Sequence, residues 1–192
     1  AKARDLKGEK GNVIAVIGDG SLSGGEAMEG LDFAGEMKGN FIIVVNDNDM
    51  SIAENHGGIY KNLRLLRETK GKSECNLFRA MGLDYVFVEN GNDIPSLIDA
   101  FRSVKDSTSP VVVHIVTEKG RGYAPAVANK EQWHWCMPFD SETGKSLFTA
   151  DGEDYGTITA DFLMKKMKAD KSVCAITSGT PMVMGFDAQK RK

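Results

Sequence analysis

An α/β fold, a three-layer parallel sheet with helices on both faces, is what this sequence predicts, on three observations. Short β-branched apolar runs recur along the chain, stretches of helical period alternate with them, and turns rich in Gly or Asn join the two tightly. A strand that is apolar throughout is one covered on both faces, which is the mark of a parallel sheet.

The first such run is 12–17 (NVIAVI), which stops at Gly18-Asp19-Gly20. Residues 23–37 then carry Ala27, Met28, Leu31, Phe33, Ala34 and Met37 near helical spacing, with Ser21 or Ser23 as the expected cap. A second buried strand follows at 41–45 (FIIVV) and ends at Asn46-Asp47-Asn48, which makes a βαβ unit. Residues 74–81 read as a helix, 85–88 as extended, and 94–104 as a helix with Leu97, Ile98 and Phe101 on one face. The run 111–116 (VVVHIV) is again strongly β-branched.

From 119 to about 154 the composition shifts to Gly, Pro, Trp and acidic residues, which predicts a long functional loop and then a linker. Residues 157–167 read as a helix and 173–177 as a strand, the opening of a second α/β unit. The expected organisation is a first domain over 1–140, a linker over 141–156 and the start of a second domain over 157–192. Both ends read as cuts in a longer polypeptide.

Composition narrows the function. With 41% hydrophobic and 27% charged residues the chain reads as a soluble globular protein. A net charge of −3 gives no general attraction to nucleic acid or to an anionic membrane. No apolar run approaches the ~20 residues needed to span a bilayer, and the charged start AKARDLKGEKGN has no signal-peptide character. Cys75, Cys136 and Cys174 are too scattered for a disulfide framework or a zinc knuckle. A cytoplasmic location is expected.

Chemistry concentrates at the ends of the first two strands. Asp19 and Asn48 lie 29 positions apart, each at the C-terminal end of a predicted strand, the edge at which open α/β sheets bind ligands. If the strands are neighbours, both side chains reach one ion. Magnesium asks for near-octahedral oxygen ligands at about 2.0–2.1 Å. One carboxylate, one amide oxygen, a backbone carbonyl and two diphosphate oxygens supply most of that shell. Gly18 and Gly20 let backbone come close, and the following helix can aim amides at phosphate. Gly-Asp-Gly by itself is more often a turn. It is the helix, the second strand and Asn-Asp-Asn at this distance that shift the balance toward a metal site.

At these residues the sequence resembles the transketolase-like thiamine-diphosphate enzymes. The stretches NDNDMSIAENHGG and TEKGRGYAPA, followed by His134 and FDSETGK, are similar to those of the 1-deoxy-D-xylulose-5-phosphate synthases within that group. The similarity runs in patches over 13–144 and weakly through VCAITSGTP. It implies a thiamine-diphosphate-binding fold, incomplete here: the C-terminal portion of the diphosphate-binding domain and the start of the pyrimidine-binding domain.

The resemblance also implies roles. Asp19 and the side chain of Asn48 would ligate magnesium (Mg2+), with Met50 giving its backbone carbonyl. Gly18, Gly20 and Ser21 would lie beside the diphosphate of thiamine diphosphate, Lys119 near its phosphate end, and His134 at its reacting end as the catalytic residue. The implied reaction joins pyruvate to glyceraldehyde 3-phosphate, releases carbon dioxide and yields 1-deoxy-D-xylulose 5-phosphate, a precursor for isoprenoids, thiamine and pyridoxal. A homodimer is usual in such enzymes. The rival readings are transketolase-like transfer of two-carbon ketol units, and a non-catalytic half of a split thiamine-diphosphate protein.

Plainer roles compete at several positions. Lys119 could be a solvated loop lysine, and His134 could pack between Trp133 and Trp135. His56 reads as a surface residue and His114 as a satisfied buried histidine. Asp47 either holds its turn or tunes the metal from behind its ligands, and Lys190-Arg191-Lys192 reads as an exposed end. One departure from the family stands out: only about fifteen residues, 60–74, fill a segment that is normally long. The glutamate that such enzymes use to activate the cofactor is not among these residues.

Overall fold

Four parallel strands form one sheet: β1 (Ile14–Gly18), β2 (Phe41–Asp47), β3 (Asp84–Val88) and β4 (Pro110–Val116), in the order β1-β2-β4-β3. The computed structural model describes residues 1–148 and 152–191. Positions 149–151 of the expected linker, and Lys192, lie outside the described residues. The chain divides into two compact units, Ala1–Ser51 with Asn55–Lys130, and Ile52–Glu54 with Glu131–Lys192.

The sheet belongs to the first unit. Its two central strands are the most apolar runs of the sequence, and successive side chains go to opposite faces. Ile42, Val44, Val111, Val113 and Ile115 build one core with Val104, Leu97, Ala100 and Phe101. Ile43, Val45 and Val112 build the other with Leu31, Ala34, Leu63, Leu66 and Phe78. After the short α1 (Lys2–Leu6), helices α2 (Gly25–Glu36), α3 (Gly58–Glu68) and α4 (Leu77–Ala80) therefore cover one face, and α5 (Ile94–Val104) covers the other. The three-layer α/β architecture predicted from the sequence is the one observed.

Local chemistry sets the helix starts. Asn76 caps α4 by accepting from the amides of Phe78 and Arg79. Asp93 caps α5 by accepting from Ser96, with Pro95 in the first turn. The chain then passes through β4 to the short α6 (Ala124–Ala128).

Four expectations need correction. Neither Ser21 nor Ser23 caps α2; both lie in a 3-10 turn (Asp19–Ser23), and Gly24 precedes the helix without a side-chain cap. Nor is β1 buried as expected: at the sheet edge it leaves Ile14 and Val16 exposed. The short segment 60–74, for which no element was expected, is mostly helix, α3, with Ile59, Leu63 and Leu66 at helical spacing on the core. Lys70 and Gly71, both at positive φ, turn the chain sharply toward α4. At Gly71 a Cβ would stand 2.6 Å from that of Phe87, so the tight turn requires glycine. Finally, 173–177 forms no strand, and Ile176 is exposed. An extended run becomes a strand only when a neighbour takes its backbone hydrogen bonds, and among the described residues none does.

The second unit is organised by α7 (Tyr155–Ala169), capped by Asp154 through the amide of Thr157. Gly185, at positive φ, comes so close to Gly156 that a Cβ would meet its carbonyl oxygen at 2.7 Å. The basic tail is engaged within this unit: Lys190 pairs with Asp161 and Arg191 with Glu131. No helix among the described residues is long and apolar enough to cross a membrane.

Candidate functional site

Strand register assembles the site. Gly18 pairs with Asn46, so Asp19 and the turn 47–50 emerge side by side at the C-terminal edge of the sheet. Asp19 is only 2% exposed. Its carboxylate accepts from Asn55 Nδ2 at 2.7 Å, and the backbone N–H groups of Gly20 and Met50 also bond to it. Burial, and next the nearby charge of Asp47, push the Asp19 carboxyl up to about 6.

The turn is held by its own side chains. Asp47 Oδ1 accepts from the amide of Asp49 at 3.0 Å, and Asn48 Oδ1 from that of Met50 at 3.2 Å. Asp49 sits at φ 60°, a left-handed conformation that Asp tolerates better than most residues. Gly20 faces this turn so closely that a Cβ would lie 2.5 Å from Ser51 Oγ and 2.9 Å from Ser51 Cα. Glycine is required there. At Gly18 a Cβ would meet no protein atom within 4 Å, so the fold itself does not require glycine there.

Lys119 donates to the carbonyl of Ser51, which joins the loop after β4 to the loop after β2. The reversal behind it depends on Gly120, at φ 85°, where a Cβ would collide with the backbone of Ala126. Ser21 is exposed at the rim. The structure thus brings Gly18, Asp19, Gly20, Ser21, Asn48, Met50 and Lys119 together at one sheet edge.

Behind the turn lies a buried polar relay. Asp47 and His114 are both fully buried. His114 Nε2 lies 2.9 Å from Asp47 Oδ2, and its Nδ1 lies 2.7 Å from Tyr85 Oη. A carboxylate can only accept, so the consistent tautomer has Nε2–H donating to Asp47 and Tyr85 O–H donating to Nδ1. Burial drives the Tyr85 hydroxyl well above its ordinary value, which keeps that proton in place. Arg67 of α3 reaches both Asp47 oxygens, at 2.7 and 2.6 Å, and pairs with Asp49 at 2.6 Å. Burial opposes the charge of Asp47, yet hydrogen bonds from His114 and Arg67 and the guanidinium charge hold its carboxyl below the usual value. His114 is the satisfied buried histidine expected, and Asp47 holds the turn.

Four participants escaped the sequence reading: Asn55, Ser51, Tyr60 and Arg67. Tyr60 Oη donates within α3's reach to the carbonyl of Gly20, at 3.2 Å, and lies 2.8 Å from Ser23 Oγ. The apolar spacing of Ile59, Leu63 and Leu66 was the signal for α3. Nothing in the sequence showed that its polar side would face this turn.

His134 belongs to the second unit, exposed in the turn where its amide bonds to the carbonyl of Glu131. Beside it Trp133 meets Phe139 edge-on at 4.6 Å, and Trp135 is exposed. His56 is exposed as well.

The residues present fit a magnesium ion carrying a diphosphate. A buried carboxylate, a side-chain amide and backbone carbonyls are hard oxygen donors, and Asp47 and Asp49 are already taken by Arg67. Among the described residues no three His, Cys, Asp or Glu side chains gather as a metal site. A cation held there would take further oxygen ligands from outside the chain, and a diphosphate is one group that offers them.

A protein-family model described as 1-deoxy-D-xylulose-5-phosphate synthase matches residues 1–76 and 66–117. The 1-deoxy-D-xylulose-5-phosphate synthase of Listeria monocytogenes is 38% identical over 188 residues, covering 94% of this chain and 31% of the relative. That of Brevibacillus brevis is 34% identical over 222 residues, covering 97% and 35%. That of Desulforudis audaxviator is 34% identical over 228 residues, covering 100% and 36%. The chain spans about a third of the length of these curated relatives. A match over 228 positions against 192 residues means that the relative carries residues with no counterpart here. The two family matches overlap at 66–76, around the sharp turn between α3 and α4. Among solved structures, a transketolase variant from Pichia stipitis is 22% identical, covering 62% of this chain and 17% of that one, with a TM-score of 0.46.

Proposed function

The chain belongs to the 1-deoxy-D-xylulose-5-phosphate synthase family, and from that premise we propose that it supplies the magnesium- and diphosphate-binding part of a thiamine-diphosphate-dependent transferase. The reaction proposed joins pyruvate to the aldehyde of glyceraldehyde 3-phosphate. One carbon leaves as carbon dioxide and five remain as 1-deoxy-D-xylulose 5-phosphate, which feeds isoprenoid and thiamine biosynthesis. The observation that carries this reading is Asp19: a buried, ionisable carboxyl beside the Asp47–Met50 turn, with Asp47 occupied elsewhere.

Thiamine diphosphate, when bound, supplies the electron sink for carbon–carbon bond breaking and making. The residues of this chain bind and orient it. Asp19, the Asn48 side chain and the Met50 carbonyl would hold magnesium. Gly18 and Gly20 leave space beside the diphosphate, Ser21 can donate a hydrogen bond, and Lys119 adds positive charge. His134 would hold or move a proton at the reacting end. Residues 1–140 would form the diphosphate-binding portion, 141–156 a linker and 157–192 the start of the pyrimidine-binding portion, in a cytoplasmic homodimer.

Calorimetric titration of thiamine diphosphate into the full-length protein, with and without magnesium, tests the site. Binding that requires magnesium and is lost in Asp19→Ala is expected; equal binding by that variant would sink the assignment. Carbon dioxide release from pyruvate distinguishes the proposed reaction from ketol transfer between sugars.

A further inference from the structure

The loop that would present Asn48 and Met50 is fixed by a residue well outside it. Arg67 bridges Asp47, fully buried, and Asp49, half-exposed, so one guanidinium spans the two carboxylates that flank Asn48. It is carried by α3, whose Tyr60 bonds to Gly20 at the other wall of the site.

The electrostatics give this bridge a purpose. Asp19 and Asp47 emerge from neighbouring strands close enough for the charge of one to act on the other, and Asp49 lies two residues beyond Asp47 in the same turn. Left unpaired, Asp47 and Asp49 would add their charge to that of Asp19, attract a divalent cation without any cofactor and repel an incoming diphosphate. With Arg67 in place, two of them are engaged and only Asp19 is left to the metal. With Nη1 on Asp47 and Nη2 on Asp49 the planar guanidinium fixes direction as well as charge, which a lysine cannot reproduce.

We propose that Arg67 is a positioning residue that makes metal binding depend on the diphosphate: it withholds Asp47 and Asp49 from the cation and locks the turn that presents Asn48 and Met50. The inference rests on the proposed magnesium–diphosphate site and adds to it a residue from a different element.

The test uses the full-length protein and two titrations, Mn2+ alone followed by electron paramagnetic resonance, and thiamine diphosphate at saturating Mg2+ followed by calorimetry. In Arg67→Gln, Mn2+ alone is expected to bind on the order of tenfold tighter. Thiamine diphosphate is expected to bind on the order of tenfold weaker, the scale of one lost charged hydrogen bond. Arg67→Lys should restore the weak binding of Mn2+ alone but only part of the cofactor affinity. Asp49→Asn, which leaves no buried charge unpaired, should fold normally and weaken cofactor binding several-fold. Loss of general stability would lower both affinities together, so opposite shifts are the signature of the proposed role. Parallel losses in Arg67→Gln, or unchanged cofactor affinity in Asp49→Asn, would overturn it while leaving the magnesium site standing. Absence of magnesium-dependent cofactor binding in the unmutated protein would remove both.

Discussion

Asp19 and Asp47 emerge from neighbouring strands, are both buried, and are driven in opposite directions: Asp19 up to about 6, Asp47 below its ordinary value. The difference is their partners. Asp47 has a guanidinium and an imidazole N–H, whereas Asp19 has one amide side chain and two backbone amides against burial and the charge of Asp47.

The first prediction concerns this unbalanced charge. Asp19→Asn should raise the thermal stability of the cofactor-free protein at neutral pH while abolishing magnesium-dependent cofactor binding. Raising the carboxyl from 3.8 to about 6 corresponds to roughly 3 kcal/mol of native-state penalty at neutral pH. An amide escapes that penalty, although it must re-form the hydrogen bonds the carboxylate made. A melting temperature below that of the unmutated protein would contradict the expectation.

The pH dependence has a definite sign. Between pH of about 6 and 4 the folded protein takes up the Asp19 proton before the unfolded chain does. The cofactor-free protein should therefore gain stability relative to Asp19→Asn as pH falls through that window, and the difference should level off below about 4. Asp47 works the other way, since its contribution is present above the unfolded value and is lost in more acidic solution. Urea unfolding of both proteins from pH 8 to 4 checks the difference curve.

Tyr85→Phe removes the hydroxyl that satisfies His114 Nδ1 inside the sheet. A buried polar atom left unpaired costs about 1–3 kcal/mol, so a loss of that size is expected in denaturant unfolding. Cofactor affinity should fall far less, because Arg67 continues to hold Asp47. An equal fall in both would mean that the relay, and not Arg67, sets the turn.

Gly20→Ala places a methyl group against Ser51, 2.9 Å from its Cα. Backbone has to move to admit it, and the turn carrying Asn48 and Met50 moves with it. A loss of about 1–3 kcal/mol in stability and a clear loss of magnesium-dependent cofactor binding are expected. Gly18→Ala, with open space around its Cβ, should fold as well as the parent. Comparing both variants by melting and by calorimetry separates crowding of the fold from crowding of the ligand.

His134→Asn in the full-length protein should lower turnover by roughly 10²–10⁴-fold, the range for a lost acid–base group, with cofactor affinity nearly unchanged. The packing alternative expects modest loss of activity and a lower melting temperature. Turnover, affinity and melting measured on the one variant decide between them.

What the sequence by itself determined is the part governed by local pattern. The apolar runs at β2 and β4 could only be covered on both faces, which dictated a parallel sheet with helices either side. The spacing of Leu97 and Phe101 marked α5, although Ile98, expected on the same face, is exposed; the position of Asp19 and Asn48 after successive strands marked the edge where they meet. What only the tertiary structure decided is how charge is distributed there. Arg67 lies 20 positions from Asp47 in the chain, yet α3 turns it onto that carboxylate and onto Asp49. The strand expected over 173–177 failed for a similar reason, since its apolar pattern needed a pairing partner that is not found among the described residues. Periodicity reports which side of an element is apolar; it carries no record of which distant charge the polar side will meet, because that pairing exists only once the layers have packed.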